Sequence, residues 1–391
     1  MRTQVGIIGA GPAGLFLAHL LARRGIEAVV LEARSRAHIE ARVRAGVLEA
    51  GTVDTLANLG LDGRMRREGM IDNGLDIRFR GRTIHLDLSD LTGRSVMIYG
   101  QLEVVKDLIA ARLEAGAPLL FDAEVTRLEG LDGGRPRIHY RQDGIDKVLD
   151  CDLVAGCDGF HGVSRAAVPD GIIETYTRAY DFSWLGVLAR AAPIADMTYS
   201  NHDRGFALCS RRSMSISRLY LQVPASDEPD NWSDARFWDE LHVRMFDAGR
   251  TEIEEGEIFQ RDVARLRAYI AQPMQYGSLF LAGDAVHIVP PAGAKGLNMA
   301  VADVRVLARA MGDFFSTGSR TGLERYTAHC IDRVWKTIRY SISLTDLLHV
   351  FDHHTPFQRG LQMAELEHIA SSATAQKMIA EQYVGLSMVS D

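Results

Sequence analysis

The chain is poor in the features that mark several protein classes. It has four cysteines in 391 residues (Cys151, Cys157, Cys209 and Cys330) and no CxxC pair. That excludes a disulfide framework and a cysteine-based zinc or dithiol site, and reads as small buried thiols in a reducing compartment. No run of about 18 apolar residues occurs, so no membrane-crossing helix is expected. Arg2 followed by an apolar stretch imitates a signal peptide, but Gly9, Gly11, Pro12 and Gly14 interrupt the stretch and Arg23 and Arg24 close it. No Lys/Arg run approaches a nucleic-acid patch, and the net charge of -7 argues against nucleic acid or an anionic membrane as main partner. His353-His354 is an adjacent pair without ligand spacing, so no metal is expected. Repeats and low-complexity tracts are missing too. These absences leave a soluble, cytoplasmic globular protein as the expectation. Its length suggests two or three packed lobes at roughly 100–200 residues per domain.

What the chain does have begins at its N-terminus. Residues 4–8 read as a buried parallel strand, 12–24 as a helix stopped by Gly25, and 27–32 as a second strand. Such a compact βαβ unit predicts a parallel sheet. Residues 74–86 read as a hairpin around Gly81, 102–115 as a helix and 136–159 as strands. From about 180 to 225 the texture is β-rich, which suggests an inserted, mostly antiparallel second lobe. Residues 233–270 read as largely helical, 278–284 as a buried strand, and 297–349 and most of 357–382 as helices. The expected class is α/β with an α+β second lobe: a Rossmann-like nucleotide-binding domain over 1–180, a substrate lobe over 181–270 to which 72–100 contribute, and a segment 271–391 that completes the first domain and ends in helices.

The sharpest motif is Gly9-Ala10-Gly11-Pro12-Ala13-Gly14, a GxGxxG between strand and helix. The first glycine permits the tight turn, the second lets the backbone approach a pyrophosphate, and the third lets helix and strand pack closely. The helix then presents free N–H groups and its positive dipole end to the phosphates. Glu32 ends the next strand, where a carboxylate can accept hydrogen bonds from a ribose diol. This motif alone does not choose between FAD and NAD.

Two later segments make the choice. DLVAGCDGFHGVSR (152–165) and FLAGDAVHIVPPAGAKGLN (280–298) resemble the DG and GD motifs of the FAD-dependent aromatic hydroxylases, the class A flavoprotein monooxygenases. Further segments, RVRAGVLEAG (42–51), YGQLE (99–103), 199–222 and EQYVGL (381–386), carry the resemblance over nearly the whole chain, to the branch that hydroxylates 4-hydroxybenzoate. The resemblance implies FAD, with Arg42, Arg44, Gln101, Asp158, Arg218, Asp284, Lys295, Gly296, Leu297 and Asn298 joining Gly9, Gly11, Gly14 and Glu32 in holding it. It implies NADPH or NADH as co-substrate, with His161 and Arg267 at positions linked to NADPH. It also implies 3-hydroxylation with O₂ through a flavin C4a-hydroperoxide, giving 3,4-dihydroxybenzoate, and a homodimer. There is only one GxGxxG and no CxxxxC, so the nicotinamide coenzyme is expected to bind transiently.

A reading of the residues themselves points to an aromatic acid. Residues 206–212 and 218–223 can pair as a hairpin around 214–216. If Ser210 faces Tyr220, then Arg212 faces Arg218 and all four share one side, a carboxylate clamp. The resemblance implies that Ser210, Arg212 and Tyr220 hold the substrate carboxylate. It also implies that Tyr199, Tyr383 and the Pro291 carbonyl serve the phenol, with Tyr199 taking its proton and passing it to Tyr383. The chain departs from the family at three places. Asp72 stands where a histidine ends the proton relay. Ala292 replaces a threonine, leaving space in which 3,4-dihydroxybenzoate is a conceivable second substrate. Ala33 and His38 replace the Arg and Tyr of NADPH-preferring relatives, while Arg34, Arg36 and His38 can still meet a 2′-phosphate, so NADH or dual use is favoured. A hydroxylase of another hydroxybenzoate is the second reading, and a flavin-binding module without catalysis a remote third.

Overall fold

The structure is a computed structural model that describes residues 1–41, 46–194, 196–245 and 253–385. Val5–Ile8 is buried throughout, as befits an apolar strand covered on both faces, and it lies at the heart of a six-stranded sheet. Parallel neighbours Ala28–Leu31 and Leu153–Gly156 flank it, Leu119–Leu120 and Leu279–Leu281 extend the sheet, and Gln275–Tyr276 closes one edge antiparallel. The helix Pro12–Ala22 packs on one face between Gln101–Glu114 and Gly296–Thr317. A small antiparallel sheet covers the other face, and Gly6 makes room for it: a Cβ there would lie 2.3 Å from Ile138 Cδ1.

A second, eight-stranded sheet runs in the order His287–Ile288, Glu257–Gln272, Glu174–Arg190, Ile216–Pro224, Ala207–Ser213, Met197–Asn201, Gly74–Phe79, Arg82–Asp87. Its pairs are antiparallel except Met197–Asn201 with Gly74–Phe79. The hairpin between Phe79 and Arg82 turns through Arg80 and Gly81, both at positive φ (45° and 69°), a geometry that suits the twist of the strands. Along Ile216–Pro224 burial alternates strictly. Ser217, Leu219, Leu221 and Val223 are buried, and the last three pack with Phe237, Trp238 and Leu241 of the helix Asp234–Met245. Arg218, Tyr220 and Gln222 point to the other face, where the helices Tyr326–Leu348, Pro356–Ser371 and Ala373–Val384 gather. There Phe182, Trp184, Phe206 and His349 stack, and the Trp184 indole donates to His349 Nε2 at 2.7 Å. Burial lowers the His349 pKa to about 3, so the ring stays a neutral acceptor.

Two sequence expectations fail. Residues 233–270 are not largely helical: the helix is Asp234–Met245, and Glu257–Gln272 is a 16-residue strand along Glu174–Arg190. Its Ala, Arg and Leu favour helix locally, but a long strand partner overrides a weak propensity. The clamp hairpin also pairs two residues away from the expected register, with Ser210 opposite Arg218 and Leu208 opposite Tyr220. A shift of two preserves sidedness, so Ser210, Arg218 and Tyr220 still share a face. A bulge between Arg211 and Ser213 interrupts the alternation at Arg212, which still lies close enough to Arg218 and Tyr220 to feel their charge. All four cysteines are free and buried. Among the described residues no helix is long and apolar enough to cross a membrane.

The glycine turn allows a clean stability test. A Cβ on Gly14 would sit 2.0 Å from the Gly9 carbonyl oxygen, whereas one on Gly11 meets nothing within 4 Å. Gly14→Ala is therefore expected to lower the unfolding free energy of the cofactor-free protein by about 1–3 kcal/mol, and Gly11→Ala by less than about 0.5 kcal/mol. Urea unfolding measures both, and equal losses would contradict the packing role of Gly14.

Candidate active site

The strand-to-helix turn is built to receive an anion. Gly9 has φ of 101°, and a Cβ on it would collide with the Cys157 carbonyl oxygen at 2.4 Å. Glu32 is buried and holds the turn: its two carboxylate oxygens accept from the N–H groups of Ala10 and Arg34, each at 2.8 Å. Lone pairs remain on both for a ligand hydroxyl. Neither a capping side chain nor an acidic residue occupies the first turn of Pro12–Ala22, and the space before Gly11 is open. A pyrophosphate fits that combination.

A second helix N-terminus has the same character. Gly296–Thr317 starts without a side-chain cap or first-turn acid, and the space before Gly296 is open. Such an end suits an electron-rich ring edge such as that of a flavin. The neighbouring side chains are fixed by protein contacts. Lys295 is buried, donating to Glu49 Oε1 at 2.6 Å and to the Tyr383 carbonyl at 2.7 Å. Asn298 accepts from Glu49 N–H and Thr52 Oγ1 and donates to the Val47 and Ala294 carbonyls. Its side chain is thus committed to the protein, and the helix backbone is what faces outward.

The turn before this helix hangs on a buried carboxylate. Asp303 Oδ2 accepts from Gly283 N–H at 3.2 Å and lies 2.6 Å from His287 Nε2, and Oδ1 lies 2.8 Å from an Arg333 nitrogen. Burial would raise the Asp303 pKa, but His287 and Arg333 overcome it and hold the group low. Asp284, next to Gly283, is left exposed. Asp158 accepts from both Ser164 N–H and Oγ at 2.9 Å through Oδ2, while its buried Oδ1 has no partner. Gln101 begins the helix Gln101–Glu114, half-buried. Arg42 and Arg44 lie outside the described residues. The two open, uncapped helix ends and Glu32 together fit FAD.

The clamp face is the clearest electrostatic feature. Ser210 Oγ donates to the Arg218 carbonyl at 3.0 Å, and the Arg218 guanidinium lies 5.1 Å from the Tyr220 ring centre. Arg212 packs so tightly on Gly100 that a Cβ there would be 2.0 Å from a guanidinium nitrogen. Neither Arg212 nor Arg218 has a carboxylate partner within ion-pair distance among the described residues, and a buried nitrogen of Arg218 is unbonded. Burial, then the charge of Arg218, lowers the Arg212 pKa. Two neighbouring cations without a counter-ion favour an anionic ligand.

On the same sheet face lies the tyrosine pair. Tyr199 is opposite Leu208, which is opposite Tyr220, so the three point the same way across three strands. Two strand spacings separate Tyr199 from Tyr220, roughly 10 Å. The buried Tyr199 hydroxyl donates to the Ala292 carbonyl at 2.6 Å, and the Tyr383 hydroxyl lies near enough to influence it. The Tyr383 hydroxyl lies 2.9 Å from Met197 Sδ. Burial raises both phenols well above their ordinary range. Pro291 opens the Pro291–Gly293 turn beside them. Asp72 is buried near the pair, and its charge is felt by both hydroxyls.

The remaining sequence candidates form two surface groups. His161 packs edge-on to Phe160 at 5.0 Å, and Arg267 lies 4.0 Å over the same ring, so the two come together. Arg165 stacks on Phe160 too, at 4.8 Å. Arg34, Arg36 and His38 are exposed around the short helix Arg36–Ile39, with Arg36 paired to Glu40 at 2.7 Å. Among the described residues, Asp76, His85 and Asp196 are grouped closely enough to chelate a cation. Sequence reasoning missed Arg211, Glu49 and Asp303, whose roles depend on contacts from 16 to 246 residues away.

Comparison with known proteins agrees with this architecture. The FAD binding domain family matches residues 2–341. The chain is 44% identical over 388 residues to the p-hydroxybenzoate hydroxylase of Acinetobacter baylyi, covering 99% of this chain and 96% of that one. It is 27% identical over 318 residues to a 6-methylpretetramide 4-monooxygenase of Streptomyces rimosus, covering 77% and 73% of the two chains. In fold it matches the p-nitrophenol 4-monooxygenase of Pseudomonas putida DLL-E4, with a TM-score of 0.81 at 18% identity over 98% and 99% of the chains. The chain belongs to the FAD-binding family of flavoprotein aromatic hydroxylases.

Proposed function

We propose that this protein hydroxylates 4-hydroxybenzoate beside its hydroxyl group, consuming NAD(P)H, a proton and O₂ and giving 3,4-dihydroxybenzoate, NAD(P)⁺ and water. The observation that carries the reading is one sheet face holding two uncompensated guanidiniums at one end and a buried tyrosine pair at the other. A benzoate with its hydroxyl opposite the carboxylate has matching ends. A 2-hydroxybenzoate would place both groups at the clamp.

Arg212, with the Tyr220 hydroxyl and the Ser210 hydroxyl turned from the Arg218 carbonyl, binds the carboxylate through charge-assisted hydrogen bonds. Arg218 adds a second positive charge, so the anion is held without desolvating an unpaired ion. Tyr199 turns from the Ala292 carbonyl to accept the substrate O–H, and its own proton passes to Tyr383. Because burial holds both phenols neutral, the proton moves hydroxyl to hydroxyl rather than resting on a tyrosinate. The phenolate left on the substrate is electron-rich at the neighbouring ring carbon, and the Pro291 turn fixes its orientation. When bound, FAD supplies the redox chemistry that accepts a hydride from NAD(P)H and activates O₂. Glycines 9, 11 and 14 with Glu32 would hold its dinucleotide, and the backbone of Gly296, Leu297 and Asn298 would face the ring; Asp158, Asp284, Gln101, Arg42, Arg44 and Arg218 join them by resemblance, while the Lys295 ammonium is already held by Glu49 and the Tyr383 carbonyl. Arg34 offers charge and His38 a hydrogen bond to a coenzyme 2′-phosphate, while Arg36 is already paired, and His161 and Arg267 line a platform around Phe160. A homodimer in the cytoplasm completes the reading.

Three outcomes are expected. The FAD-loaded protein should oxidise NADH and NADPH much faster with 4-hydroxybenzoate present, and chromatography should identify 3,4-dihydroxybenzoate. Stimulation without product would make 4-hydroxybenzoate an effector only, and no stimulation would overturn the proposal. Arg212→Ala should lower kcat/KM by roughly 30- to 1000-fold, the cost of about 2–4 kcal/mol for a lost charge-assisted carboxylate contact. A loss below threefold would remove Arg212 from the clamp. Because Ala292 is a small buried residue beside Tyr199, 3,4-dihydroxybenzoate should be turned over slowly. Absence of any trihydroxybenzoate after prolonged incubation would contradict that.

A further inference from the structure

Asp72 meets a partner that nothing in the sequence announced. Its Oδ1 lies 3.2 Å from an Arg211 guanidinium nitrogen, with side-chain exposures of 3% for Asp72 and 20% for Arg211. Asp72 ends the strand Met70–Asp72, opposite Val96, just before the chain enters the large sheet at Gly74. Arg211 sits in Ala207–Ser213 between Ser210 and Arg212, both of the clamp. Burying the Asp72 carboxylate costs desolvation, which its partly buried partner only offsets, so the pair beside a reactive centre calls for a role.

The groups that face Asp72 come from several elements. Arg211 faces it from the clamp strand and the Gly74 N–H from the next strand, at 3.4 Å. Asp196 faces it from the approach to Met197–Asn201, Tyr199 from that strand, and Tyr383 from the C-terminal helix. Burial, with a smaller contribution from Asp196, pushes the Asp72 pKa up, while Arg211 and the Gly74 N–H pull it down. Without Arg211 only the weak pull of one amide would oppose burial.

Building on the hydroxylation reading, we propose that Arg211 is a positioning residue of the proton relay, holding the Asp72 carboxylate ionised and turned to receive the proton that leaves the substrate through Tyr199 and Tyr383. The substrate O–H bond breaks, an O–H bond forms on Asp72, and the electron pair stays on the phenolate. The proton then passes from Asp72 to solvent water, and nothing is oxidised or reduced. Since Arg211 stands between two clamp residues, carboxylate binding and proton acceptance share one strand.

The test reads the acid limb of the kcat–pH profile and, independently, the pH at which bound 4-hydroxybenzoate ionises, followed by its ultraviolet phenolate band. Only ionised Asp72 accepts the proton, so activity falls as pH drops through its pKa. Losing Arg211 raises that pKa, and the fall should begin at higher pH. Arg211→Gln should move the limb and the phenolate titration up by about one pH unit or more, and Arg211→Lys, which keeps a cation, should move them less. In an Asp72→Asn background, Arg211→Gln should move neither. An unmoved limb in Arg211→Gln with normal wild-type turnover, or an equal shift in the Asp72→Asn background, overturns the inference alone. A wild type without 4-hydroxybenzoate-stimulated NAD(P)H oxidation overturns the hydroxylation reading and this inference with it. Arg211→Lys gives the same decision should Arg211→Gln fail to fold.

Discussion

Side chains on a strand alternate between faces, and along Ile216–Pro224 that alternation divides the molecule's labour. Leu219, Leu221 and Val223 are committed to the apolar layer under the helix Asp234–Met245, which locks the strand's rotation. Arg218 and Tyr220 then have no choice but the opposite face. A slip by one residue would bury a guanidinium among Phe237, Trp238 and Leu241, so the core enforces the clamp. This also explains why the hairpin tolerates a register two residues from the one sequence suggested. Even shifts leave every side chain on its own face, and the site needs sidedness more than a particular opposite neighbour.

Buried charge falls into two kinds here. Asp303 has His287, Arg333 and the Gly283 N–H, and Lys295 has Glu49 and the Tyr383 carbonyl. These groups are satisfied and serve geometry: Asp303 fixes the turn that exposes Asp284, and Lys295 ties the start of Gly296–Thr317 to the end of the helix bearing Tyr383. Arg212 and Arg218 are different: half-buried, and without a carboxylate within ion-pair distance among the described residues. Buried polar groups are ordinarily paired, so an unpaired pair of cations marks where a ligand's charge is missing.

Much of this was legible in the sequence where local pattern and chemistry coincide. The glycines of the first turn, Glu32 and the apolar strands around them form a contiguous unit whose spacing dictates its geometry. Ser210 and Tyr220 were legible as a shared face because period two survives without knowledge of the partner, whereas the bulge between Arg211 and Ser213, which interrupts the alternation at Arg212, was not. Glu257–Gln272 was misread because its composition favours helix and its strand state comes from a partner some 80 residues earlier. Arg211 was invisible for a related reason: its meaning depends on Asp72, 139 residues away, and on a crossing of two sheets that no local window contains.

The tyrosine pair shows why a distant acceptor is needed at all. The enclosure that keeps water from a reacting ring also raises both phenols, so neither can hold a negative charge near neutral pH. A proton leaving the substrate must therefore travel beyond them to a group that is ionised at the start. Among the described residues Asp72 is the carboxylate whose charge reaches both hydroxyls, yet its own burial opposes that charge. The Arg211 guanidinium, 3.2 Å away on the clamp strand, offsets that opposition. On the proposed reading, a dry ring and a charged sink for its proton are compatible because a cation outside the tyrosine pair stabilises the sink.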